Sequence, residues 1–281
     1  MRYLKLFEEF RESKGKLPLN KINQEEFKKL LRENCQDFIS LVKRLDYNFN
    51  IRRNFLFRKF KESHGDFVYS YPSQSEHVRI APWSEWGNYH NLMVSNLESW
   101  KDYPRRNKSL ICAGIERARN HGGSQLYLII PYDKTKIGVC PKYEFWESFK
   151  TYTEERMYLP DWCKRVISIV EEENNVKLGD ENWEELVTYL DKKYDTKLLM
   201  KHHQIRWDWY DDSKTLLQNL NEYLRPESNG FVLKTFKDLQ PLLVSSNHEC
   251  WFEGECIMIK CNEGHDDLLN WSKEELKSIF G

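Results

Sequence analysis

The stretch that decides the fold is Glu249-Cys-Trp-Phe-Glu253-Gly-Glu255-Cys-Ile-Met-Ile-Lys260. Taken as a strand, its period of two puts Cys256, Met258 and Lys260 on one face, with Glu255, Ile257 and Ile259 on the other. The apolar run Cys256-Ile-Met-Ile, bounded by Gly254 and by Asn262-Glu-Gly, suits a buried strand better than a helix. Glu253 and Glu255 then share one side at its start. A half-buried carboxylate is costly without a partner. The pair therefore reads either as a solvated acidic turn or as a site, and the upstream chain bears on the choice.

Working outward, 281 residues suffice for a proper core in one large domain, with or without a small helical extension. Forty-three basic residues stand against forty-four acidic ones, so no global field steers the chain to nucleic acid and any such binding needs a local patch. Ten tryptophans point to aromatic packing or stacking surfaces. The seven cysteines (35, 112, 140, 163, 250, 256 and 261) form no CxxC pair, which predicts reduced thiols in a cytoplasmic compartment. Cys250, Cys256 and Cys261 lie near His248 and His265, but the first two run along one strand and cannot wrap a metal, so none is expected. No apolar run reaches membrane-spanning length, and the amphipathic start MRYLKLFEEF is too charged for a signal peptide. A soluble protein without a membrane partner is expected.

Apolar spacing predicts helices over 2–12 and 24–45, the second capped by Asn23. Together they make an N-terminal helical cover over 1–50, with a second domain over 51–281. Strands are expected at Asn54-Phe-Leu-Phe-Arg58-Lys-Phe60, Phe67–Tyr71, Ser109–Cys112, Gln125–Ile130, Lys136–Cys140, 230–236 and 249–261. Helices are expected near 89–100, at 116–120, 142–152, 161–174, 182–194 and 213–224, and at 272–280 with Ser272 as cap. The helices between 141 and 230 form an insertion. Short strands without βαβ alternation predict an α+β fold with a mixed or antiparallel sheet. The sequence has no GxGxxG, GxxxxGK[ST] or GxSxG, which disfavours Rossmann, P-loop and α/β-hydrolase chemistry.

Three features follow in order: an arginine in an apolar strand (Phe57-Arg58), a serine opening a strand after a basic turn (Ser109), and the Glu253-Gly-Glu255 strand start. This order resembles the arginine–serine–glutamate arrangement of the ADP-ribosyltransferase superfamily. The stretch from Arg79 through Trp100 and Tyr103-Pro-Arg-Arg to Ser109 resembles its bacteriophage-encoded members. The resemblance covers roughly 55–140 and 245–262. It implies a split sheet of that type, NAD as substrate, Phe57 and Arg58 at the cofactor, Ser109 as the motif serine, and Glu255 as the catalytic glutamate preceded by Glu253. Lys59 stands where Gly or Ser is common, and Ser109-Leu-Ile-Cys lacks the second serine. Arg79 competes with Arg58 for the arginine role.

These residue types suit N-glycosidic chemistry. Breaking the nicotinamide–ribose bond builds positive charge on the sugar, which a fixed carboxylate such as Glu255 stabilises. A guanidinium binds pyrophosphate oxygens with its planar fork. Ser109 would orient glutamate and ribose, and Glu253 would handle the nucleophile. Transfer of ADP-ribose to a protein or nucleic acid is the first expectation. Hydrolysis is the alternative, either of NAD or, as a DNA glycosylase, of a modified base held by Trp83, Trp86 and the turn Arg105-Arg106-Asn-Lys108. A binding or inhibitory protein with a degenerate site is the third. Each residue also has a plain structural role: Arg58 stacking on aromatics, Ser109 shaping a turn, 105–108 as a solvated turn, and Trp83 and Trp86 in packing. His202-His203 and Trp207-Asp-Trp209-Tyr fit packing between helices.

Overall fold

The computed structural model describes residues 17–47, 54–74, 94–120, 123–149, 213–239, 248–261 and 273–280, with single positions at 168, 171, 172, 175 and 211. The helices expected at 2–12, 161–174 and 182–194 lie outside the described residues or almost wholly so, as do His202, His203 and Trp207–Tyr210.

Nine strands are described: β1 Leu19–Lys21, β2 Leu56–Phe60, β3 Phe67–Ser70, β4 Leu110–Ala113, β5 Gln125–Pro131, β6 Ile137–Val139, β7 Val232–Lys234, β8 Glu249–Phe252 and β9 Cys256–Lys260. They form one sheet in the order β1-β3-β9-β5-β2-β4-β8-β6-β7. Every pair in it is antiparallel. The fold is α+β with an antiparallel sheet, as short strands without βαβ alternation predict.

The stretch 249–260 is two strands, not one. β8 and β9 are sequence neighbours, yet β4, β2 and β5 stand between them in the sheet. In a flat sheet those four steps of about 4.8 Å would separate them by about 19 Å. The four residues from Phe252 to Cys256 span at most about 14 Å, so the sheet must curl until β8 runs into β9 at Glu253-Gly-Glu255. Gly254 sits at this bend, where a Cβ would come 2.7 Å from Thr135 Cγ2. The seam of the curl is narrow: β2 and β4 share the single register pair Phe57–Ala113.

Register then divides the side chains. Arg58 lies opposite Tyr127, which lies opposite Lys260, so Arg58, Tyr127, Ile129, Met258 and Cys256 share the inner face. Phe57 pairs with Ala113, and Ala113 with Glu249, which puts Cys112, Cys250 and Phe252 on that inner face too. A charge on Cys256 would raise the Cys112 thiol, although their strands are three steps apart in the sheet. Curling accounts for that proximity.

Two layers clothe the outer face. Helices α1 Gln24–Asn34 and α2 Gln36–Arg44 cover one half, with Phe27 against Phe67 at 4.9 Å and Phe38 against Phe55 at 5.8 Å between ring centroids. The C-terminal helix Lys273–Phe280 joins them through Phe38–Phe280 at 5.8 Å. Asn23 caps α1 by accepting from the Glu26 N–H, as the sequence predicts. The single helix expected over 24–45 breaks at Cys35. There Asp133 reaches across the fold and accepts from the N–H groups of Gln36 (2.7 Å) and Asp37 (3.0 Å), capping α2 from outside. Over the other half, Trp251 meets an aromatic cluster of Trp100, Tyr103, Phe145, Phe149 and Phe231. Gly138, register partner of Trp251, has no space for a side chain, since a Cβ would lie 2.3 Å from the indole.

Helix Ile115–Asn120 is as expected, and Leu216–Tyr223 carries a Thr215–Gln218 capping box inside the expected 213–224. Where a helix was expected over 142–152, the described chain has only the 3-10 turn Trp146–Ser148. Both described ends of the 141–230 insertion, at Phe145–Phe149 and Leu224–Phe231, enter the aromatic cluster. Trp100 Nε1 donates to the Leu224 carbonyl (2.8 Å), and Tyr103 Oη to that of Phe231 (3.1 Å).

Candidate functional site

The bend between β8 and β9 brings both motif carboxylates to the outer side of the sheet. Glu255 is half-buried, and the Tyr69 hydroxyl donates to its Oε1 at 2.5 Å. Its carbonyl accepts from the Tyr132 N–H at 3.0 Å, which fixes the backbone. Burial, then the hydrogen bond and charge of Glu255, push the Tyr69 phenol well above its ordinary range, so it stays a donor. Tyr132 is raised as well, by burial first and then by the charge of Glu255. The two phenol rings lie 6.4 Å apart.

Glu253 is held by one residue in two ways. The Arg105 backbone N–H donates to Oε1, and the guanidinium meets Oε2 through Nη2 at 3.0 Å and through Nε at 3.3 Å. The Glu253 carbonyl accepts from the Ser73 N–H at 3.1 Å. Ser109 is buried, and its hydroxyl donates to the Arg105 carbonyl at 2.7 Å. The motif serine thus reaches the acidic pair through the Arg105 backbone, shaping the turn that grips Glu253.

The structure does not bring Arg58 into this arrangement. Arg58 faces the inside of the curled sheet, on the opposite face from Glu255. Along β9, five residues at about 3.3 Å each also separate Lys260, on the row of Arg58, from Glu255. Its Nη1 donates to the Ile111 carbonyl at 2.7 Å, and its guanidinium lies 5.1 Å from the Phe60 ring centroid. Burial pushes its pKa down to about 10, opposed by Cys112 and Glu249. The cofactor role expected of Arg58 is corrected to a structural one: a guanidinium inside the curl cannot reach a ligand at Glu255. Phe57 is a core residue with no exposure, which removes it from the cofactor set as well. Arg79, Trp83 and Trp86 lie outside the described residues.

The basic turn 105–108 divides. Arg105 is half exposed and Lys108 partly buried, but Arg106 is only 3% exposed and pairs with Glu249. Its guanidinium lies 4.2 Å from the Phe145 centroid and 5.8 Å from that of Trp251. The phosphate or nucleic-acid contact expected of Arg106 is therefore corrected: its charge is spent inside the protein. Glu249 also accepts from Arg117 Nη2 at 2.9 Å, with Glu144 3.8 Å from the same nitrogen. Sequence reading missed this buried network of Arg106, Arg117, Glu144 and Glu249. Its one signal was Glu249 itself, a charge abutting Cys-Trp-Phe in an otherwise apolar strand.

The six described cysteines, Cys35, Cys112, Cys140, Cys250, Cys256 and Cys261, are free and buried. Among the described residues no group of three His, Cys, Asp or Glu could hold a metal. None of the described helices is long and apolar enough to cross a membrane. No family model, curated protein or solved structure matches the chain.

Proposed function

We propose that the chain cleaves the N-glycosidic bond of NAD, as an ADP-ribosyltransferase-like enzyme, and passes ADP-ribose to a macromolecular acceptor. The observation that carries this reading is the fixing of Glu255 at the β8–β9 bend by the Tyr69 hydroxyl, with Glu253 two residues earlier on the same side. Tyr69 engages Oε1, so Oε2 serves the ribose hydroxyl and the oxocarbenium charge that grows as nicotinamide leaves. Preorganisation of this kind lets a carboxylate act without reorienting during the reaction. With Arg58 inside the sheet, the pyrophosphate falls to Arg79, a role that rests on the resemblance alone.

One observation favours a second reading. Glu253 has both oxygens engaged by Arg105, which leaves it poorly placed to take a proton from an acceptor. Hydrolysis, with water attacking the sugar at Glu255, needs no base at Glu253. The test is incubation with NAD labelled in the adenylate half, in the presence of cell lysate. Nicotinamide release with label on protein or nucleic acid supports transfer; release without labelling supports hydrolysis. Retention of activity in Glu255→Gln, or no nicotinamide release by the unaltered chain, would sink the proposal. Base release from modified DNA, lost in Glu255→Gln, would establish the glycosylase instead.

A further inference from the structure

The turn from Pro104 to Ser109 lies against β8 and the residue that follows it, Glu253. Glu249, Trp251 and Glu253 occupy alternate positions, so they share the outer face of this chain segment. Each meets one residue of the turn. Glu249 pairs with Arg106, the Trp251 Nε1 donates to the Pro104 carbonyl at 2.8 Å, and Glu253 takes the Arg105 N–H and guanidinium. The Ser109 hydroxyl closes the turn onto the Arg105 carbonyl. Two of these contacts are buried: the pair Arg106–Glu249, with side chains 3% and 0% exposed, and the bond from Trp251 to the Pro104 carbonyl. The third, at the solvent end, is the one that holds a motif carboxylate.

We infer that Arg106 and Glu249 are positioning residues for Glu253: their buried pair anchors the turn whose next residue, Arg105, grips that carboxylate. The mechanics are those of a lever with one end fixed. Consecutive residues 105 and 106 point opposite ways along β8, one to Glu249 and one to Glu253, so the placement of one limits the other. Arg106 is gripped as a planar cation, ion-paired to Glu249 and packed over the Phe145 ring, with Trp251 beside it. An ammonium reproduces the charge but neither the stacking nor the fork. Arg105 alone is a half-exposed surface partner, and such pairs hold geometry weakly without support. The placement of Glu253 therefore depends on a pair of residues that lies out of solvent and touches no ligand.

This inference rests on the site reading above only in what Glu253 is for, and its test is independent of NAD cleavage. Amide hydrogen exchange is measured for the Arg105 N–H in the unaltered chain, Arg106→Lys, Glu249→Gln and Glu253→Gln, with Leu128 in β5 as reference. Arg106→Lys is included because it retains the charge and is the milder change should Glu249→Gln unfold. The expected result is Arg105 exchange at least tenfold faster in Arg106→Lys, with Leu128 unchanged. Exchange at Arg105 unchanged in Arg106→Lys overturns the inference. So does acceleration of Arg105 and Leu128 by the same factor, which reports loosening of the whole fold. If the chain releases nicotinamide and labels an acceptor, Arg106→Lys is expected to lower kcat more than it raises KM. If it releases none while Arg105 exchange responds, the NAD reading falls and the positioning of Glu253 stands.

Discussion

Glu249→Gln is the substitution expected to damage this protein most for its size. Glu249 has no exposed surface and sits between Arg106 at 3% and Arg117 at 0% exposure, within 2.9 Å of Arg117 Nη2. Removing its charge takes away the carboxylate that both guanidiniums pair with, while Glu144 stands 3.8 Å from Arg117. Breaking a buried pair on one side costs about 3–5 kcal/mol, which lowers the folding constant by roughly two to four powers of ten at about 1.4 kcal/mol each. At about 2–4 °C per kcal/mol for a large domain, the midpoint of thermal unfolding should fall by roughly 6–20 °C. Urea and thermal unfolding followed by tryptophan fluorescence, with Trp251 in the adjoining cluster, measure it. Glu253→Gln is the matched control. Its partner Arg105 is 50% exposed, and exposed pairs contribute about 0–1 kcal/mol. The fourfold change Glu144→Leu, Glu249→Leu, Arg106→Met, Arg117→Met should recover most of the loss, because apolar side chains need no partner and no buried acid of the network is left behind. Equal costs for Glu249→Gln and Glu253→Gln, or a fourfold variant no better than the single, would refute the reasoning.

Other consequences follow from burial and close approach. Folding should weaken as pH rises above about 9: burial raises the thiols of Cys35, Cys112, Cys140, Cys250 and Cys256 above 9.0, and the phenols of Tyr69 and Tyr132 above 10.0. The unfolded chain loses these protons first, so the stability present below pH 9 is lost upward, by up to about 1.4 kcal/mol per pH unit for each group. Urea midpoints unchanged from neutral pH to about pH 10.5 would contradict this. Gly138→Ala should cost about 1–3 kcal/mol by driving a methyl into the Trp251 indole, and an unchanged melting curve would show that the indole moves aside freely. Asp133→Ala should cost about 0.5–2 kcal/mol by uncapping α2, read as lost amide protection at Gln36 and Asp37 with α1 unaffected.

What the sequence revealed and what it hid have physical causes. The strands 125–131 and 256–260 and the cap at Asn23 are local signals, an apolar run or a side chain three residues from its partner, and the structure has them. The helix break at Cys35 was hidden because apolar spacing continues across it, while the cap that makes it possible comes from Asp133. Reading 249–261 as one strand failed because, Glu249 and Lys260 apart, both halves are apolar on both faces, one face inside the curl and one under a covering layer. Only Gly254 marked the bend. Arg58 beside Phe57 looked the same whether it faced a cleft or the interior, since alternation alone does not say which face is which. Glu249 and Arg117 were invisible as a pair: a buried ion pair joins residues 132 positions apart, and nothing local announces its partner.

The aromatic cluster on the outer face of β8 has a consequence for how the chain can change over time. Phe149, where the chain departs after β6, and Phe231, where it returns before β7, have ring centroids 5.0 Å apart. The excursion between them starts and finishes at one knot, so its length is free of the strand register on either side. Loop closure grows only slowly in cost with length, about 0.6 kcal/mol per doubling. Because the knot fixes both ends, the length of chain between Phe149 and the helix Leu216–Tyr223 can vary without moving the bend that bears Glu253 and Glu255.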